Sequence, residues 1–164
     1  MKHSLSGYLR NHIILSGQGL EFYKQYFKDT KTFYESLNLD FRGASVHLNS
    51  KGVIEYAEID MSLPVTLKAF KNNAHGGALS SILESCCVVM YGFPRLLGNN
   101  AWMIAVEWNI KFHHPIPIEE SLKVLVRCTQ EDDERKFHLE AKVFSTTGKG
   151  ALATGTGFFL KQSL

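Results

Sequence analysis

Cysteine is scarce in this chain: Cys86, Cys87 and Cys128 are the only three in 164 residues, and two of them are adjacent. An odd count with an adjacent pair cannot build the disulfide framework that staples small secreted domains, so the sequence predicts a reducing compartment and a cytoplasmic protein. Metal-ligand spacings are missing as well. There is no C-x-x-C and no H-E-x-x-H, so no metal site is expected. His113 and His114 would project from opposite faces of a strand and could not share one ion. No segment reaches the roughly 18 apolar residues of a membrane helix, and Ile13-Ile14-Leu15 is too short for the apolar part of a signal peptide. Surplus charge is small: 18 Lys and Arg against 16 Asp and Glu give a net +2 with the seven histidines neutral. That is too mild for a nucleic-acid binder driven by phosphate neutralisation. Internal repeats and low-complexity stretches are also absent. What is present is a globular composition, 45% hydrophobic and 21% charged, long enough for one domain with a substantial core.

The first 20 residues carry loose helical signals (Leu5, Tyr8, Leu9, Ile13) that break at Ser16-Gly17-Gln18-Gly19. From Glu21 to Leu37, Phe22, Tyr23, Tyr26, Phe27, Phe33, Tyr34 and Leu37 recur at three- and four-residue spacing, an amphipathic helix with an aromatic packing face. Residues 1–38 are therefore expected to be a helical extension and residues 39–164 the main domain. After Leu39 the period becomes two. Phe41–Leu48 and Val53–Ser62 read as strands joined by the turn Asn49-Ser50-Lys51-Gly52, with Val53, Ala57, Ile59 and Met61 on one face. The strands Ile104–Phe112, Leu122–Thr129, Phe137–Ser145 and Ala151–Leu160 follow a helical segment. Their turns fall at Gln130-Glu131-Asp132-Asp133-Glu134 and Thr146-Thr147-Gly148-Lys149, and such short connections favour antiparallel neighbours.

The helical segment between the two groups of strands, His75–Tyr91, is the most unusual. Between Gly76 and Pro94 its only charged residue is Glu84. Leu79, Ile82, Leu83, Cys86, Val89 and Met90 supply apolar surface on more than one side, so the helix is expected to be buried on most faces. Gly92, Phe93 and Pro94 are expected to end it. Its first turn offers unpaired backbone N–H groups and the positive end of the helix dipole. Glycine at 76 and 77 leaves that amide row open to a substrate carbonyl, a candidate oxyanion hole with the Gly76 N–H as first donor. His75 would orient the loop or contact the substrate, or else serve only as a cap. Glu84, in apolar surroundings, would have its basicity raised, as suits a general base or a nucleophile; the competing reading is a structural ion pair. Cys86 and Cys87 have no evident base and read as packing.

Two strings resemble those of a known family. Asn73-Ala74-His75-Gly76-Gly77-Ala78-Leu79-Ser80-Ser81-Ile82-Leu83-Glu84 resembles the signature of the hotdog-fold acyl-CoA thioesterases, in particular the 4-hydroxybenzoyl-CoA and phenylacetate-pathway groups. Val106-Glu107-Trp108-Asn109-Ile110-Lys111-Phe112-His113-His114-Pro115 is similar to the family's third strand and closing proline. The resemblance covers residues 40 to 162. It implies an α+β hotdog fold, a curved antiparallel sheet wrapped around one long central helix, here with extra N-terminal helices. It implies an enzyme hydrolysing the thioester of an acyl-CoA, with Glu84, Gly76 and His75 catalytic and Gly77, Asn72, Asn73, Ser80 and Ser81 binding substrate. Coenzyme A would enter as part of the substrate, with no separate cofactor. Two departures stand out: Val88 and Ala105 occupy positions where relatives carry hydroxyls. A hydratase or dehydratase on acyl thioesters, and a non-catalytic acyl-thioester or lipid binder, are the alternatives.

Spacing adds a further expectation. Gly76 and Glu84 lie eight positions, about 12 Å, apart along one helix, too far to touch one carbonyl carbon. A second, antiparallel copy would bring Glu84 of one chain to Gly76 of the other, so a homodimer with two interfacial sites is expected. The family resemblance implies the same, with dimers often paired into tetramers.

Overall fold

The computed structural model of the chain describes residues 1–4, 44–96, 101–148 and 150–163. Seven strands are present among them: β1 (Lys2–Ser4), β2 (Ser45–Leu48), β3 (Ile54–Met61), β4 (Ala101–Phe112), β5 (Leu122–Asp132), β6 (Lys136–Ser145) and β7 (Ala151–Ser163). They form one antiparallel sheet in the order β1-β2-β3-β5-β6-β7-β4. Between β3 and β4 runs the helical segment: α1 (Gly76–Cys86), a π-helical turn (Cys87–Gly92) and the short α2 (Phe93–Leu96). Leu79, Ile82, Leu83 and Cys86 of α1 are buried against the sheet's inner face, where Ala57, Ile59, Val124, Val126, Phe137 and Leu139 meet them in one core. The alternation that predicts strands is visible in the burial itself. In β6, Phe137, Leu139, Ala141 and Val143 are buried while the residues between them are not.

Several details differ from the sequence expectation. Lys2–Ser4 is a strand rather than part of a helix. It pairs with β2 at Ser4↔Ser45, and the terminal ammonium donates to the Leu48 carbonyl at 2.8 Å. Partnering an open sheet edge overrides the weak local helical signal. The remainder of the helical extension, including Glu21–Leu37 and the boundary at residue 38, lies outside the described residues. Val53 is exposed, and Ile54 takes the inward place at the head of β3, because a register shift between His47 and Leu48 pairs Leu48 with Ile54. The turn before it forms as expected. Asn49 Oδ1 accepts from the amides of Lys51 and Val53, and Gly52 has φ 76°. The β5–β6 hairpin is tighter than expected, because β5 continues to Asp132. Asp133 and Glu134 carry φ of 54° and 51°, the paired positive angles of a type I′ turn.

The helical run also does not end at Gly92-Phe93-Pro94; it continues to Leu96. The π-helical turn Cys87–Gly92 comes directly before Pro94, at the place where the run departs from the ordinary helical ladder. The run Gly76–Leu96 spans 21 residues and contains an 18-residue stretch of mean hydropathy 1.3, long and apolar enough to cross a membrane by length and composition, contrary to the expectation that no segment is. Here it is the core helix of the sheet, with buried residues from Leu79 to Leu96.

β4 departs from simple alternation. Ala105 pairs with Phe159 and Glu107 with Phe158, which leaves Val106 as an extra, exposed residue. Before this bulge Ala101 and Met103 are buried; after it Trp108 and Ile110 pack on the core. Ile104 and Trp108 therefore do not share a face. β4 closes one end of the sheet, and among the described residues no strand pairs with its outer edge.

Candidate active site at the start of the central helix

The chain enters α1 through a clamp of backbone hydrogen bonds. Ala74 N–H donates to the Ile116 carbonyl at 2.8 Å, His75 N–H to that of Leu67 at 2.7 Å, and Ile118 N–H to that of Asn72 at 3.1 Å. Two strands of loop thus hold residues 72–75 from either side. His75 is the N-cap residue, with extended backbone (φ −69°, ψ 124°), and its side chain makes no capping hydrogen bond. The first intrahelical donor is Leu79, whose N–H reaches the His75 carbonyl at 3.1 Å. The amides of Gly76, Gly77 and Ala78 have no acceptor among the described residues. They are three free donors at the positive end of the helix dipole.

A cleft of about 320 Å³ opens beside these amides, lined by Asn73, Ala74, Gly76, Phe112, His113, His114, Pro115 and Ile116. The Phe112 ring lies against Gly76 so closely that a Cβ there would stand 3.1 Å from its Cζ. At Gly77 a Cβ would stand 3.2 Å from His75 Cε1, so the imidazole lies over the first turn. His75 and Gly77 are exposed, Gly76 and Asn73 are half-buried, and Asn72 is exposed. Asn73 Nδ2 donates to the Phe70 carbonyl at 3.3 Å, which closes the turn. His113 and His114 follow the end of β4. Their amides share the Leu152 carbonyl, and His113 Nε2 lies 3.0 Å from Thr154 Oγ1.

Gly76, Ser80 and Glu84 follow one another at four-residue steps along a single ridge of α1. Two side chains of β4 meet that ridge: Phe112 at Gly76, and Trp108, whose Nε1–H donates to Ser80 Oγ at 3.1 Å. Trp108 rests on β7 where β7 has no side chains. A Cβ at Gly155 would stand 2.3 Å from its Cζ2, and one at Gly157 2.6 Å from its Cε3. The indole also meets Phe159 edge-on at 6.1 Å. The exposed Ser81 sends its proton to the Gly77 carbonyl at 3.2 Å.

Glu84 is half-buried, and it has no hydrogen bond or ion pair among the described residues. The structural ion pair that could have explained it is therefore not formed there. Burial pushes its carboxyl above the usual range, with no cation to offset the effect. The neighbouring thiols go the same way. Burial, with the Glu84 charge nearby, pushes Cys86 up to about 12 and Cys87 well above its ordinary value. Both stay protonated at neutral pH, in keeping with packing rather than nucleophilic roles.

The structure thus places Gly76 and Asn73 in the lining of the cleft, His75 and Gly77 beside each other in the adjoining first turn, and Ser80 and Glu84 further along the ridge of Gly76. It does not bring Glu84 to the cleft of its own protomer: eight residues of helix intervene, about 12 Å. Trp108 and Phe112 are the additions. The sequence puts both in a strand but does not assign them to this site, because the bulge at Val106 decides which face of β4 they occupy.

No family model matches the chain, and no curated protein matches it. Solved structures do. The PaaI protein of the phenylacetic acid degradation operon of E. coli superposes with TM-score 0.61 at 12% identity, over 92% of this chain and 97% of that one. A thioesterase family protein from Silicibacter pomeroyi matches with TM-score 0.61 at 17% identity, over 89% and 99%. A hypothetical thioesterase from Streptococcus pneumoniae, solved with coenzyme A, matches with TM-score 0.55 at 11% identity, over 66% and 82%. At these identities the likeness speaks for the backbone: one long helix gripped by a curved antiparallel sheet, the hotdog fold, is the fold of this chain.

Proposed function

We propose that the protein is an acyl-CoA thioesterase whose reaction centre is shared by two protomers. The observation that carries this reading is the pairing of three free amides beside a cleft with an unpaired, half-buried carboxylate on the same ridge of α1. The two are too far apart to serve one carbonyl within a single chain. The open edge of β4, which flanks that ridge, supports a two-fold partner that pairs there and lays its own α1 antiparallel to the first. Glu84 of one protomer then faces Gly76 of the other. The solved relative with coenzyme A supports the substrate class. Coenzyme A is part of the substrate, and no further cofactor is needed.

The thioester carbonyl oxygen accepts from the Gly76 N–H, with Gly77 leaving room beside it. The partner's Glu84 carboxylate takes a proton from water as the water oxygen bonds to the carbonyl carbon. Charge gathers on the carbonyl oxygen, where the amide and helix dipole stabilise it. Collapse of this intermediate breaks the C–S bond. Glu84 returns its proton to the departing sulfur, leaving a carboxylic acid and coenzyme A thiol. Asn73, which lines the cleft, and His75, which lies over the first turn, contact the substrate around its carbonyl.

The test is thiol release from acetyl-, octanoyl-, palmitoyl- and benzoyl-CoA, repeated with Glu84→Gln. Turnover on at least one substrate is expected, falling at least about a hundredfold in the variant while its circular dichroism stays native. Tight binding of these thioesters without thiol release would instead make the protein a carrier. Hydration of crotonyl-CoA would make it a hydratase.

A further inference from the structure

We infer that the Ser80 hydroxyl, oriented by Trp108, holds the attacking water in this site; the inference rests on the thioesterase reading above. Ser80 lies between Gly76 and Glu84 on one ridge of α1, and its side chain is bonded by the Trp108 indole.

The direction of the Ser80 hydrogen bond is settled by chemistry. An indole N–H can only donate, so Ser80 Oγ accepts from Trp108 at 3.1 Å. A serine hydroxyl has one proton, and Ser80's has no acceptor among the described residues. Ser81 is the contrast within the same turn. Its proton goes to the Gly77 carbonyl, the ordinary arrangement for serine in a helix. Ser80 thus keeps a donor, while its accepting side is occupied by the indole. It stands one turn, about 6 Å, from Gly76 on the ridge that runs on to Glu84. In this inference a water attacking a carbonyl held at Gly76 accepts the proton that Ser80 keeps.

Trp108 is held in turn by the sheet. Any side chain at Gly155 or Gly157 would occupy the space of its ring, and the bulge at Val106 places the ring on the inner face. Ser80 is therefore a catalytic residue by contact with the water. Trp108 is a positioning residue that acts through Ser80.

The experiment compares wild type, Ser80→Ala, Ser80→Thr, Trp108→Phe and the double variant Ser80→Ala/Trp108→Phe, using whichever of the four acyl-CoAs is hydrolysed fastest. Ser80→Ala is expected to lower kcat about tenfold or more with KM within about twofold, since the hydroxyl acts on water rather than on substrate binding. Ser80→Thr, which keeps the hydroxyl, restores most of kcat. Trp108→Phe keeps the stacked ring, loses the N–H, and lowers kcat in the same direction by less. The double variant is no worse than Ser80→Ala alone, because the indole acts only through the serine. Thermal melts check that each variant is folded at the assay temperature. Ser80→Ala turnover within about twofold of wild type, alongside a dead Glu84→Gln, overturns this inference and leaves the thioesterase reading standing. Additive losses in the double variant overturn the role of Trp108. A wild-type chain that hydrolyses none of the four overturns both.

Discussion

At the residue scale the site divides between backbone and side chain, and each half has its own probe. Gly76 is the first helical residue, where proline is well tolerated, and His75 before it already has the extended backbone that proline demands. Gly76→Pro should therefore remove the amide proton with little damage to the helix, the exposed Phe112 ring shifting to make room. Thiol release should fall about 10²- to 10³-fold, as when one oxyanion donor is lost. Glu84 gives a pH prediction. Burial raises its pKa in the folded chain above the ordinary 4.5. As a base it must be ionised, so the acid limb of kcat/KM should lie above the usual carboxylate range. The same shift has a stability sign. The folded chain holds this proton more tightly than the unfolded one, so stability falls as pH rises through the window between the two pKa values. Glu84→Gln should then melt higher than wild type at pH 7 while being inactive, a result calorimetry can read beside the kinetics. Glu84 was legible from sequence because it is the only charge in an otherwise apolar helix. The Trp108–Ser80 bond was not, because it joins residues 28 apart whose facing depends on a single extra residue in a strand.

At the scale of elements, the sheet is held to α1 by shape. The two glycines of β7 under Trp108 are a requirement of packing, since a methyl at 155 would lie 2.3 Å from the indole. Gly155→Ala should cost about 1–3 kcal/mol in urea unfolding by overpacking, and should disturb the Trp108 fluorescence. On the outer face, burial alone would raise the Glu58 pKa, but Lys2, His47 and Lys123 around it bring it down to about 2. This ion cluster ties β1, β2, β3 and β5 together. Its contribution is present above the unfolded value of 4.5 and is lost as pH falls from there towards 2. Glu58→Gln should lower the melting temperature at pH 7 by an amount equivalent to roughly 1 kcal/mol, solvent screening keeping it small. The difference from wild type should vanish near pH 2. The succession of strands and helix along the chain, the buried helix and its first turn follow from periodicity and composition, which are local signals. The paired β1, the continuation through Pro94 and the Asp133–Glu134 turn do not, because partner edges and tertiary packing decide them.

At the scale of the whole molecule, the proposed shared centre makes a prediction no single-chain site can match. On that proposal, Glu84→Gln and Gly76→Pro protomers should each be nearly inactive when paired with themselves. Unfolded together and refolded at equal ratio, half the dimers are mixed, and each mixed dimer has one intact centre from Gly76 of one chain and Glu84 of the other. About a quarter of wild-type turnover should return, the value two-fold symmetry dictates. No recovery, with mixed dimers verified by mass spectrometry, would place both groups of each site on one chain.

The outer margin of β4, unpaired among the described residues, has a consequence for how the protein is made. Twelve residues of strand with apolar Val106 and Phe112 on display are an adhesive surface for any exposed β-segment nearby. A freshly released polypeptide carries that surface until something masks it. On the proposed two-fold pairing, yield in a producing cell should depend on how quickly equal copies find each other, and slow, cool synthesis should favour inclusion bodies less than a rapid burst at high temperature.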